Sequence, residues 1–208
     1  MRFLCAAICA AFSFGAVQQS LAQSEPEAPL QIAFDILRGG GNVLVMRHAN
    51  SPHDQLAPVG MSAGCVLAEG RGLDAKGLFQ ARALGALLRA EEVPILKAYT
   101  SDLCRAWDTA ALTAGGASVV PHPAQKTTDP DTIAAFKKQI EAELKANPGQ
   151  NIILSNHSNI APLYGAKAPG NEDEVPSGAI FVVIPPNWES TIRIALDVEV
   201  SPQTVTVE

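Results

Sequence analysis

The chain is short of positive charge. Its 208 residues include 15 Lys or Arg against 21 Asp or Glu, a formal net charge of -6. With no basic excess, it lacks the electrostatic footprint of a general nucleic-acid binder. An anionic ligand would need a local positive pocket in an acidic surface. Cysteine is also scarce, four in all, and the two outside the N-terminal apolar run, Cys65 and Cys104, do not show zinc-ligand spacing, so no structural metal is indicated. Long apolar runs are absent but for one near the N-terminus, residues 3–17. It is shorter than the roughly 20 residues a membrane-spanning helix needs. There is no low-complexity tract and no repeat of domain scale. A composition of 47% apolar and 17% charged residues is that of a globular protein. The length suits one domain with a well-buried core.

What is present begins with a processing signal. Arg2 precedes the apolar run, and Ser20-Leu21-Ala22 puts small residues at the -3 and -1 positions of a cleavage site after Ala22. The competing reading is an uncleaved N-terminal anchor. The expected organisation is therefore a signal peptide over 1–22, a lead-in with a short helix over 23–40, and one domain over 41–208. The expected location is periplasmic or secreted, with no membrane span after processing. Cys5 and Cys9 leave with the signal. Cys65 and Cys104 remain, as a disulfide in an oxidising compartment or as two buried thiols.

Along the mature chain, strand and helix patterns alternate. Apolar spacing predicts a short helix over 30–37, stopped by Gly39-Gly40-Gly41, and a buried strand over 43–46 that runs into Arg47-His48. A loop rich in Pro and Gly spans 51–72. Asp74 is a helix N-cap for a helix to about residue 90, and 95–100 reads as a second strand. A helix carrying Arg105 in its first turn follows, running through residue 114. Next come a strand over 118–120, a Pro-His-Pro turn around His122, and a helix over 132–146 capped by Asp129 or Asp131. Residues 151–157 repeat the opening pattern, an apolar strand ending in His157. Strands over 177–184 and 191–200, of antiparallel character, close the chain. This order predicts a three-layer α/β/α sandwich with a mostly parallel sheet.

The pattern places cations and imidazoles where α/β sheets bind ligands, outside the carboxyl ends of strands. Arg47 can fork onto phosphate oxygens, and His48 can attack, accept or donate a proton. Taken by itself, the pair reads equally as a loop edge with a surface histidine. Arg105 sits at a helix start, where the dipole disfavours a cation unless an anion is held there or the side chain reaches solvent. Arg71 is either a surface cation or a further substrate contact.

Together these stretches resemble the histidine phosphatase superfamily, with its phosphoglycerate-mutase-like fold, over roughly residues 41–184. Its Arg-His-Gly/Ala signature is matched by Arg47-His48-Ala49. Its Leu-x-x-x-Gly-x-x-Gln-Ala helix start is matched by the stretch from Leu73 through Gly77 and Gln80 to Ala81. Its Ser-x-x-x-Arg-Ala-x-x-Thr-Ala is matched from Ser101 through Arg105 and Ala106 to Thr109 and Ala110, and its second histidine by His157 after a strand. The surroundings of Cys65 and Cys104 look most like an exported bacterial branch.

The resemblance implies a phosphomonoesterase of the histidine acid phosphatase type acting on a small-molecule phosphomonoester. His48 is the implied nucleophile, forming a phosphohistidine. Arg47, Arg105 and His157 surround the phosphoryl group, with His157 more useful protonated, and no metal or other cofactor is needed. The general acid departs from the family pattern. Ser158 follows His157 where some branches place an aspartate, and no glutamate lies between Arg105 and Glu141. The remaining candidates are Asp129, Asp54 and the cluster Glu172-Asp173-Glu174. That gap motivates an alternative, a catalytically weak or inactive phosphatase-like domain that binds phosphorylated ligands. A metal site built from His48, His53, His122 and His157 is a third reading, unsupported by any helical i,i+4 pair.

Overall fold

The computed structural model describes residues 28–52, 71–167 and 175–196. The predicted signal segment, His53, Asp54, Cys65 and the cluster Glu172-Asp173-Glu174 lie outside the described residues. Helix α1 (Ala28–Gly39) leads into β1 (Val43–Arg47), followed by α2 (Ala75–Ala90), β2 (Ile95–Thr100) and α3 (Cys104–Thr113). Then come β3 (Ser118–Pro121), α4 (Pro130–Ala146), β4 (Asn151–Asn156), β5 (Ile180–Ile184) and β6 (Glu189–Ile194). Short 3-10 turns occupy Pro123–Gln125 and Ala161–Tyr164.

The strands form one sheet in the order β3-β2-β4-β1-β5-β6. The first four in that order run parallel; β5 pairs antiparallel with β1, and β6 antiparallel with β5. Both faces are covered, which is why β1 is an unbroken apolar run rather than an alternating one. Val43 and Val45 join Ile152, Leu154, Phe181 and Val183 on the face that packs against Phe136 and Ile140 of α4. Leu44 and Met46 point the other way, with Ile153 and Val182, against Phe34 and Leu37 of α1 and Leu84 and Leu88 of α2. Each such side chain contributes about 1.5–3 kcal/mol by leaving water. The mixed α/β sandwich expected from the alternation is present, and α1 is part of its core.

Element boundaries differ where turns and prolines intervene. Helix α4 starts at Pro130 rather than residue 132, because proline suits a first helical turn and Asp129 caps it, accepting from Thr132 N at 2.8 Å. Strand β5 starts at Ile180 rather than 177. Gly178 turns there with φ 74°, and its N–H points at the carbonyls of Arg47 and His48, 3.2 and 3.3 Å away. Strand β6 begins two residues before residue 191, directly after the turn at Pro185-Pro186-Asn187.

The register sets up the site. Arg47 of β1 lies level with Asn156 of β4, and Ser155 of β4 level with Thr100 of β2. Three parallel strands thus end together, and the next residue of each is His48, His157 or Ser101. Helix α2 is fitted to this edge by a glycine. A Cβ on Gly77 would stand 2.1 Å from the carbonyl oxygen of Asn50, a separation no packed structure tolerates. We therefore expect Gly77→Ala to lower stability by about 1–3 kcal/mol, read by urea unfolding, since backbone must shift to admit the methyl group. Gly39→Ala is the matched control. It meets nothing within 4 Å at a helix end and should leave the midpoint unchanged or slightly raised.

Candidate active site

The loop leaving β1 is held by side chains rather than by the sheet. His48 N donates to Asn156 O at 2.9 Å, the last bond of the strand pairing. Beyond it, Ala49 N donates to Thr109 Oγ1 at 3.0 Å, and that hydroxyl donates in turn to Arg105 O at 2.6 Å. Asn50 N donates to Gln80 Oε1 at 3.1 Å, and Asn50 Nδ2 to Asp74 Oδ2 at 2.7 Å. Ser51 Oγ donates to Gly72 O at 2.7 Å. The Gln80 and Thr109 positions of the sequence motifs are therefore braces for the His48 loop, and Asp74 both caps α2 and holds Asn50. The cap at Asp74 is as the sequence predicts; the bracing by Gln80 and Thr109 was not assigned, since their partners Asn50 and Ala49 are far away in the chain.

His48 is buried, 4% exposed. Its Nδ1 lies 2.8 Å from Ala49 O, and a carbonyl can only accept, so Nδ1 carries the proton. Nε2 then has a lone pair, and Arg105 Nε donates to it at 3.2 Å. The His157 ring stands edge-on to His48, centroids 5.5 Å apart, and His157 Nε2 is 3.0 Å from Ser101 Oγ. Arg47 Nη1 donates to Val175 O at 2.9 Å, and Arg71 Nη2 to Ser51 O at 2.8 Å. The charges of Arg105, Arg71 and Arg47 all bear on His157. All five residues singled out in the sequence meet at one sheet edge.

Electrostatics favour neutral imidazoles. Burial holds His48 well below the ordinary histidine value, and the charges of His157, Arg105 and Arg47 add to this against the opposing bond to Ala49. His157 falls to about 4, mainly by burial and then through Arg105, Arg71 and Arg47, with Asp102 pulling the other way. Without a ligand His157 is therefore neutral at ordinary pH, so the protonated form expected to serve a phosphoryl group would need the bound anion itself. An oxyanion would offset the arginines and raise it. Arg105 itself drops to about 10 through burial and its fellow arginines, and stays charged.

The acid candidates fare differently. Asp129 is spent on α4, where its carboxylate caps Thr132 on an exposed surface, and it is not part of the site. Asp54 and the cluster Glu172-Asp173-Glu174 lie outside the described residues. The carboxylate that does approach the site is Asp102, overlooked in the sequence. Both of its oxygens are 2.7 Å from Lys126 Nζ, so it is an ion-pair partner. His122 stacks on Phe136, centroids 3.9 Å apart, and its Nδ1 accepts from Ala124 N. That removes it from any metal set with His48 and His157. Among the described residues no group of three or more His, Cys, Asp or Glu is placed to hold a metal. Cys104 is buried and disulfide-bonded.

Buried neutral histidines make stability depend on pH. Once unfolded they titrate near 6.5, so below that value the unfolded chain binds more protons than the folded one. Stability should be full above pH 6.5 and fall as pH drops towards 4. Urea unfolding from pH 7 to 4 should show this slope, and it should be shallower in His157→Gln.

The profile of the histidine phosphatase superfamily (branch 1) matches residues 43–158. No curated protein sequence matches the chain. Among solved structures, the protein histidine phosphatase SixA complexed with tungstate aligns with a TM-score of 0.53 at 18% identity, over 74% of this chain and 96% of that one. The putative phosphohistidine phosphatase SixA of Agrobacterium tumefaciens aligns at 0.52 and 18% identity, over 76% and 99%. The phosphoglycerate mutase of Thermus thermophilus gives 0.46 at 24% identity, over 75% and 99%. The SixA alignments are likenesses of fold. The profile match spans more than half of the sequence, and it takes in His48, Arg105 and His157 on the sheet edge where they converge: the chain belongs to the histidine phosphatase superfamily, branch 1.

Proposed function

We propose that this protein is an exported phosphomonoester hydrolase that works through a phosphohistidine on His48. One observation carries the reading. The nucleophile is set up twice over, by the Ala49 carbonyl that takes the proton of Nδ1 and by the Arg105 guanidinium that faces the lone pair of Nε2. An incoming phosphate dianion would take Arg105 onto its oxygens and leave Nε2 pointing at phosphorus. Attack forms the N–P bond as the P–O bond to the leaving group breaks in line, and water then cleaves the N–P bond to release phosphate. Arg47, Arg105 and His157 neutralise charge on the equatorial oxygens, and Arg71 adds a further substrate contact.

The leaving group receives no proton from an identified carboxylic acid, since Asp102 is tied to Lys126. The reading therefore favours esters whose leaving groups depart easily. The same feature supports a second reading, a phosphatase-like domain that binds phosphorylated ligands with little or no turnover. Export rests on the N-terminal sequence. Among the described residues no helix is long and apolar enough to cross a membrane.

Quenching in alkaline detergent during turnover of a radiolabelled aryl phosphate should trap a base-stable, acid-labile phosphoryl group on the protein, and His48→Ala should abolish both the label and phosphate release. Unchanged release in that variant would end the hydrolase reading; tight phosphate binding without turnover in the wild type would favour the binding one. Because burial depresses His48, the acid limb of kcat/KM should lie below pH 6.5. Asp129→Asn, which touches only the α4 cap, should leave kcat unaltered.

A further inference from the structure

Ser101 is wholly buried at the end of β2, and its hydroxyl oxygen faces two groups. Leu103 N donates to it at 3.4 Å, and His157 Nε2 lies at 3.0 Å. A buried hydroxyl hydrogen needs an acceptor, and losing one costs more than an ordinary hydrogen bond gains. Among the described residues the one acceptor Ser101 Oγ can reach is His157 Nε2, because the Leu103 N–H is itself a donor. The hydroxyl therefore donates to Nε2, and the ring proton of a neutral His157 must sit on Nδ1. No described protein group takes that Nδ1–H, and the atom is not sealed from solvent. It is a donor left for a ligand.

We infer that Ser101 is a positioning residue that fixes which nitrogen of His157 carries its proton, so that an uncharged imidazole presents Nδ1–H to the bound oxyanion. His48 and His157 then share one tautomer for unrelated reasons. His48 is set by a carbonyl that accepts from Nδ1, and His157 by a hydroxyl that donates to Nε2. The outcomes differ in use. On His48 the free nitrogen is a lone pair for attack, and on His157 it is an N–H for binding. The charged groups whose fields bear on His157 come from several elements: Arg47 from β1, Arg71 from the approach to α2, Arg105 from α3, and Asp102 beside Ser101. The net effect of three cations against one carboxylate is to keep a proton off, so donation to the ligand depends on having the right tautomer. A second proton on the ring would take this acceptor from the Ser101 hydroxyl, so Ser101 adds to the arginines in favouring the uncharged ring.

The functional half of this inference rests on the proposed phosphate chemistry, whereas the tautomer does not. Long-range ¹⁵N–¹H correlation on histidine-labelled wild-type protein at pH 7 should show His157 as the Nδ1–H form. An Nε2–H form would overturn the inference, whatever the enzyme does. In Ser101→Ala the His157 pattern should shift towards Nε2–H or a mixture. Inorganic phosphate should bind about three- to tenfold more weakly, the loss of one hydrogen bond's worth of orientation. Ser101→Thr, which keeps the hydroxyl, should restore the wild-type tautomer. Should threonine prove too large to fold at this buried position, the alanine variant and the wild-type spectrum decide between them. An alanine variant with an unaltered tautomer and unaltered phosphate affinity would refute the assignment. A wild-type protein with the Nδ1–H form but no turnover would refute the hydrolase reading and leave the tautomer standing.

Discussion

The bond from His48 Nδ1 to the carbonyl of Ala49 is the constraint on which the site depends. It is made between neighbours in the chain, so it exists only if the backbone after β1 bends back under the ring. That bend is imposed from outside. Thr109 of α3 takes the N–H of Ala49, Gln80 of α2 takes that of Asn50, and Gly77 lets α2 come close enough for Gln80 to reach. The two helices themselves approach closely, since a Cβ on Gly85 would stand 2.2 Å from the carbonyl oxygen of Leu112. Glycines in helices cost about 1 kcal/mol each relative to alanine. Here they are what allows the helices to act as one support for His48.

Around this support the protein gathers three arginines in an otherwise acidic molecule. Burial first and then the neighbouring like charges lower the proton affinity of Arg105 and His157. An anion would offset those charges. Local charge rather than net charge thus sets what the pocket favours, and the proposed phosphate chemistry draws on that local excess inside an acidic surface.

Much of this could be read in the residues. The strand run into Arg47-His48, its echo at His157 and the cap at Asp74 each express a local rule, and local rules survive into structure. The convergence of Arg105 on His48 was legible through the order of the motifs. Other features were hidden because they depend on partners far apart in the chain. Nothing near Asp102 in sequence announces Lys126, and nothing near Gln80 announces Asn50. Asp129 carried two readings, helix cap and general acid, because spacing alone does not separate them; the structure shows the cap. The neutral state of the ligand-free His157 ring was not legible, because it depends on how deeply the ring is buried and on the arginine charges that bear on it.

The amides of Ala49 and Asn50 belong to a segment with no repeating backbone pattern, yet both are bonded to side chains anchored in helices. Opening either bond means turning a buried side chain, Thr109 or Gln80, out of its packing at the strand ends. In the kinetics of hydrogen exchange these two positions should therefore be slower than those of an exposed loop. The turn after β1 is irregular in conformation, but its amides are held by the helices that cover the sheet.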